Sequence, residues 1–149
     1  MMPEKSVYGN WPRSGEIDIV ETINEKSDEL VTTIHYGHDY HRQISKTTFL
    51  NQLTKLSNPI DHNKISLIWE DKYFEWLLND QLVFKVNFNE VENLEPNPFL
   101  EEFYLLINVA VGGNWPGTPN STMYCNSRKS CPDVKKLIVD YIAYYEKIN

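Results

Sequence analysis

Gly15-Glu16-Ile17-Asp18-Ile19-Val20-Glu21 reads as a β-strand that carries carboxylates on one side and aliphatic groups on the other. Successive strand side chains leave on opposite faces, so Glu16 and Asp18 share one face while Ile17 and Ile19 share the other. The aliphatic face belongs to a core and the acidic face to an open surface. Strict alternation would put Val20, not Glu21, beside Asp18. Glu21 joins the carboxylate face only if one extra residue is accommodated after Ile19, as a β-bulge does. Bulges often re-aim side chains at active sites.

Outward from this strand, the apolar residues continue in short alternating or continuous runs, and aromatics make up 13% of the chain. Besides residues 15–21, strands are expected at Leu30 to Tyr36, Lys64 to Glu70, Tyr73 to Leu78, Leu82 to Asn87, Phe103 to Val111 and Leu137 to Tyr145. This number of short strands predicts an all-β sandwich. Asn79-Asp80 separates two of the runs and predicts a tight hairpin turn. Leu137, Tyr141 and Tyr145 also fall at helical spacing, but the Ile, Val and Tyr content of that segment favours a strand. Gln43 to Leu56 is expected to be loop with a short helix. The 149 residues have the size of a single domain, 1–149, and no tract marks a second one.

Composition excludes some partners. Fourteen basic against twenty-one acidic residues give a net charge of -7, with no basic cluster to meet phosphates, so nucleic acid is not an expected partner. No apolar run reaches the roughly 20 residues that cross a bilayer, and the N-terminus lacks the apolar centre of a secretory signal. Cys125 and Cys131 bound a short polar loop of the kind that a disulfide closes, which hints at an oxidising compartment; two free thiols are the alternative. Asn120-Ser121-Thr122 is an acceptor pattern for an N-linked glycan.

Three clustered carboxylates raise one another's pKa, a cost that a glycosidase uses. One carboxyl must stay protonated to donate to the leaving oxygen while its partner stays ionised to attack the sugar; a separation of about 5 to 5.5 Å gives retention of configuration. An exposed edge strand with an acidic outer face would read the same way in isolation. The surroundings decide between the two. Tyr8-Gly9-Asn10-Trp11-Pro12-Arg13-Ser14 leads into the strand, and the whole stretch to Glu21 closely resembles the active-site signature of glycoside hydrolase family 16, laminarinase-like branch, in its bulged Glu-x-Asp-x-x-Glu form. Phe103 to Gly117, containing Asn108 and Gly112-Gly113-Asn114-Trp115-Pro116-Gly117, resembles a second hallmark of that branch. Ile34-His35-Tyr36-Gly37, the Trp69 to Trp76 strand pair and Val139-Asp140-Tyr141 follow in the family's order.

The resemblance implies a jelly-roll β-sandwich of the concanavalin-like kind and an endo-glucanase of the β-1,3 or mixed β-1,3/1,4 type. It makes Glu16 the nucleophile, Glu21 the acid/base and Asp18 the carboxylate between them. Trp11 and Trp115, each in a Gly-Asn-Trp-Pro segment, are expected to expose an indole to the flat C–H faces of sugars. His35 and Asn108 are implied as further substrate-binding residues. Trp69 and Trp76, inside apolar strands, are expected in the core. His35, His38 and His41 are not spaced to converge on a metal, so no metal site is assigned and His38 and His41 are read as solvated loop residues. The chemistry needs no cofactor; the family accommodates a structural calcium, and Asp140 matches a position near such sites.

In the family a strand reading roughly Trp-Met-Leu-Pro leads into the signature, whereas this chain begins Met1-Met2-Pro3-Glu4. The chain is therefore expected to be the C-terminal part of a catalytic domain, with an incomplete jelly roll. The longer protein is expected to be secreted and monomeric and to take β-glucan as its partner. Non-catalytic recognition of β-1,3-glucan in innate immunity, or an inactive truncated remnant, are the alternatives; retention of all three carboxylates favours catalysis.

Overall fold

The computed structural model describes residues 1–23, 26–50, 62–118 and 137–147, in two compact units, Met1–Ile107 and Asn108–Asn149. The first unit contains β1 (Met2–Pro3), β2 (Glu16–Ile23), β3 (Lys26–Tyr36), β4 (Arg42–Phe49), β5 (Ile65–Glu70), β6 (Tyr73–Leu78), β7 (Gln81–Asn87) and β8 (Phe103–Tyr104). All pairings are antiparallel: β2-β3-β4 and β5-β6-β7 each form a three-stranded sheet, and β1 pairs with β8. Phe88–Glu90 and Pro98–Leu100 are short 3-10 turns, and Leu50, just after β4, also has 3-10 conformation.

β6 shows why the sequence folds this way. Its residues alternate, with Phe74, Trp76 and Leu78 buried and Tyr73, Glu75 and Leu77 partly open, as a strand with one face on a core requires. Asn79 and Asp80 both take positive φ, +50° and +65°, the backbone that a two-residue hairpin needs to match strand twist. Asn79 also fastens the turn to the start of β5: its N–H donates to the Lys64 carbonyl at 2.8 Å, and its Oδ1 accepts from the Lys64 N–H at 2.9 Å.

The two three-stranded sheets share one core. Ile17, Ile34 and Tyr36 come from the first, and Phe74, Trp76 and Val86 from the second; Phe88, Leu94 and Phe99 close the cluster. Phe74 meets Trp76, Phe88 and Phe99 edge-on with ring centroids 4.9–5.5 Å apart, a preferred aromatic arrangement. Burial of each such ring contributes about 1.5–3 kcal/mol. A second cluster joins Leu30, Leu50 and Leu78, with Val20, Ile65 and Val83 against it. Trp76 is in the core as expected, and Trp69 packs against it with its indole N–H on the Phe99 carbonyl at 3.1 Å.

Three expectations need correction. The first part of Gln43 to Leu56 is neither loop nor helix: Arg42–Phe49 pairs residue for residue with β3, from Tyr36↔Arg42 to Glu29↔Phe49. Residues 51–56 of that segment lie outside the described residues. The strand expected over Phe103 to Val111 stops at Tyr104, where its pairing with β1 ends. Leu137 to Tyr145 forms no strand, and Ile138, Tyr144 and Tyr145 are exposed. β-propensity measures fit to a paired, half-buried surface, so it does not make a strand where no backbone partner is present.

In the second unit, Gly113 and Gly117 exchange two backbone hydrogen bonds at 3.0 and 3.2 Å and close a turn around Asn114-Trp115-Pro116. Trp115 is exposed on that turn. Cys125, Cys131 and Asn120 lie outside the described residues.

Candidate active site

The segment before β2 is folded by its own polar groups. The Ser14 side chain is buried, donates to the Gly9 carbonyl at 2.7 Å and accepts from the Tyr8 N–H at 3.1 Å. The Tyr8 hydroxyl donates to Glu101 at 2.9 Å, and Arg13 Nε donates to the His38 carbonyl at 2.8 Å, tying this turn to the one that follows β3. Gly15 then enters the strand at φ +81°, where a Cβ would stand 3.1 Å from both Phe99 and Phe103 rings. Glycine is required there on both counts. The result presents Trp11 half exposed, with its indole N–H donating to Glu16 Oε2 at 2.6 Å.

The register of β2 on β3 places the carboxylates. Glu16 faces His35, Ile17 faces Ile34 and Asp18 faces Thr33, but the next pair is Glu21 with Val31. Three steps on β2 are matched by two on β3, so the strand carries the extra residue of a bulge between Asp18 and Glu21. Thr33 and Val31 lie on one face of β3, and Asp18 and Glu21 therefore share a face as well. Ile17 and Ile19 point into the core shared with β6, and Val20 packs with Leu30 and Leu78 in the other cluster. The edge of β2 away from β3 is met by Met1, whose amino group donates to the Ile17 carbonyl and whose carbonyl accepts from the Ile17 N–H at 3.0 Å.

A connected polar network covers this face. Asp18 Oδ2 is 3.1 Å from His35 Nε2, and His35 Nδ1 is 2.8 Å from His41 Nε2. The His35 and His41 rings meet edge to edge through this bond, with centroids 5.0 Å apart and planes 27° apart, and Trp11 lies beside both at 5.8 and 4.7 Å. The hydrogen bond from Asp18 holds the His35 pKa above the ordinary histidine value against the opposing effect of burial, with the charges of Asp18, Glu16 and Glu21 adding to the rise. Glu21 is pushed above the ordinary glutamate value, chiefly by burial and next by the charges of Asp18 and Glu16, while His35 and the Met1 amino group pull it down. The environment thus moves Glu21 toward holding its proton to higher pH, the direction that a general acid needs.

Glu16, Asp18 and His35 each offer a ligand atom, all within 4.8 Å of one another. Glu16 Oε2 already holds the Trp11 indole and Asp18 Oδ2 holds His35, so a cation would have to displace both bonds. Asp140 is exposed within residues 137–147. Of the sequence-predicted residues, the structure gathers Glu16, Asp18, Glu21, Trp11 and His35 into one site. Asn108 and Trp115 belong to the second unit, where both are exposed. His41 belongs to the network and was read as a solvated loop residue; its one local signal is Gly37, whose φ of +121° reverses the chain toward it.

No family model matches the chain. It is 32% identical to glucan endo-1,3-beta-glucosidase A1 of Niallia circulans, across 99% of this chain and 21% of that protein. It is 34% identical to the glucan endo-1,3-beta-glucosidase of Cryptopygus antarcticus, across 78% of this chain and 45% of that protein. Among solved structures, the laminarinase catalytic domain of Thermotoga maritima superposes with a TM-score of 0.69 at 27% identity, over 83% of this chain and 50% of that one. Its relatives are thus endo-1,3-beta-glucosidases, and its structural neighbours are laminarinases of glycoside hydrolase family 16. Its antiparallel sheets are those of the family 16 jelly roll. The chain spans about a fifth to a half of the length of these relatives.

Proposed function

We propose that this chain carries the catalytic strand of a retaining endo-glucanase acting on β-1,3- or mixed β-1,3/1,4-linked glucan. The observation that supports the reading is the bulge, which returns Glu21 to the face of Glu16 and Asp18 in a position where burial raises its pKa. Glu16 is the nucleophile. Its carboxylate attacks the anomeric carbon as Glu21 gives its proton to the departing glycosidic oxygen, forming a glycosyl ester and a free chain end. Glu21, now ionised, takes a proton from water, whose oxygen attacks the same carbon and releases Glu16. Two inversions restore the original configuration. Asp18, held by His35, adds negative charge that raises the Glu21 pKa further.

Trp11 supplies an exposed indole plane at the carboxylate face for a sugar ring, and a polymeric glucan substrate suits action outside the cell. The relatives named above, both endo-1,3-beta-glucosidases, support the linkage class.

The test is Glu16→Gln, assayed by release of reducing ends from a soluble β-1,3-glucan and by the anomeric proton signal of the first product. The variant is expected to lose hydrolysis by at least about 10³-fold while its circular dichroism is unchanged. Near-normal turnover, or a first product of inverted configuration, would sink the assignment.

A further inference from the structure

We propose that His41 is a positioning residue for the carboxylate site, acting through His35; the inference rests on the glycosidase reading above and extends it beyond the catalytic strand. His41 lies in the turn between β3 and β4, two residues before Gln43, the partner of His35 across the sheet. The turn has a fixed course. Gly37 takes φ +121°, and a Cβ there would stand 2.2 Å from the Tyr40 carbonyl oxygen, so only glycine lets the chain return over β3. Arg13 holds the same turn from the other side through the His38 carbonyl. His41 is thereby set edge to edge with His35, its Nε2 2.8 Å from His35 Nδ1, with Trp11 beside it at 4.7 Å between ring centroids.

The chemistry of the contact is specific. A carboxylate only accepts hydrogen bonds, so the bond to Asp18 fixes the proton of His35 on Nε2 whatever the charge of the ring. Nδ1 then accepts from His41 when His35 is neutral and donates to His41 when His35 is charged. A second imidazole can serve both states by changing tautomer; an aliphatic or ammonium side chain cannot. With both nitrogens engaged, the His35 ring has a single orientation, and Asp18 keeps a fixed partner. The titratable groups acting on His35 are Asp18, Glu16 and Glu21 from β2 and His41 from the turn; Gln43 on β4 is neutral, and the Met1 amino group lies beside the carboxylates.

Removal of His41 frees the ring, and the charge of Asp18 then acts on Glu21 with less compensation. Glu21 holds its proton to higher pH. The experiment compares wild type, His41→Ala and His41→Gln in kcat and KM on a soluble β-1,3-glucan across pH, with ¹⁵N NMR of the imidazole nitrogens on the same proteins. In His41→Ala, kcat is expected to fall about tenfold with KM little changed, and the alkaline limb of the profile to move up by roughly half a unit. His41→Gln, whose amide can donate or accept, is expected to restore both. A uniform loss with an unmoved limb would show a merely structural role and overturn the proposal. If the wild type cleaves no β-glucan, the glycosidase reading fails by itself, and the nitrogen shifts still decide: a His35 Nδ1 signal that changes in His41→Ala supports the contact, and one that does not change overturns it.

Discussion

Glu21 and His35 are both shifted upward, for opposite electrostatic reasons. Burial and neighbouring anions disfavour the charged form of Glu21, whereas the Asp18 hydrogen bond favours the charged form of His35. Each folded pKa lies above its unfolded value. Each group therefore contributes stability that is fully present below its unfolded pKa and is lost as pH rises through the folded one. For Glu21 that window opens at the ordinary glutamate range and extends above it. Glu21→Gln abolishes the loss because the amide has no proton to give up. Its melting temperature is expected to equal that of wild type in acid and to exceed it by about 2 °C or more at neutral pH, read by calorimetry at both ends. A variant less stable than wild type at neutral pH would contradict the raised pKa. Removing a site carboxyl thus strengthens the fold while ending catalysis, the exchange expected where chemistry requires like charges to be held together.

Among the elements, the Asn79-Asp80 turn and β2 were legible in sequence because each is specified locally. The turn needs two residues that tolerate positive φ, and Asn and Asp do so at small cost. Asn79→Ala removes that tolerance and the acceptor for the Lys64 N–H together, and is expected to cost about 1–2 kcal/mol in urea unfolding; Asn79→Gly, which keeps the backbone freedom, is expected to cost less. Alternation likewise paired Glu16 with Asp18, while the extra residue that brings Glu21 to their face followed from the resemblance to the bulged signature. β4 could not be read in either way. Its residues are mostly exposed, with Ile44 half buried and Thr48 buried, so no strong alternation marks it, and it is a strand because the long β3 offers it a complete row of partners. The contact between His41 and His35 was hidden for a related reason. It depends on how a turn closes, through Gly37 and Arg13, and spacing along the chain does not carry that.

At the scale of the first unit, the site-bearing sheet has the core directly behind it. Ile17 sits between Glu16 and Asp18 in sequence and is completely buried against the aromatic cluster; Ile19 also packs there, and Val20 packs into the smaller cluster. Chemistry and cohesion are thus interleaved along six residues, with two consecutive core positions where the bulge falls. A saturation library over residues 16–21, sorted separately for soluble yield and for glucan cleavage, should expose that interleaving. Positions 16, 18 and 21 are expected to keep yield and lose cleavage, and positions 17, 19 and 20 to lose yield. Substitution thus strikes one property at a time, whereas deletion of a single codon from 19 or 20 removes one core side chain together with the bulge, and plain alternation then leaves Glu21 on the face of Asp18. The strand tolerates misspelling at half its letters, and the bulge is the one place where a letter can drop out without reversing the sense of those that follow.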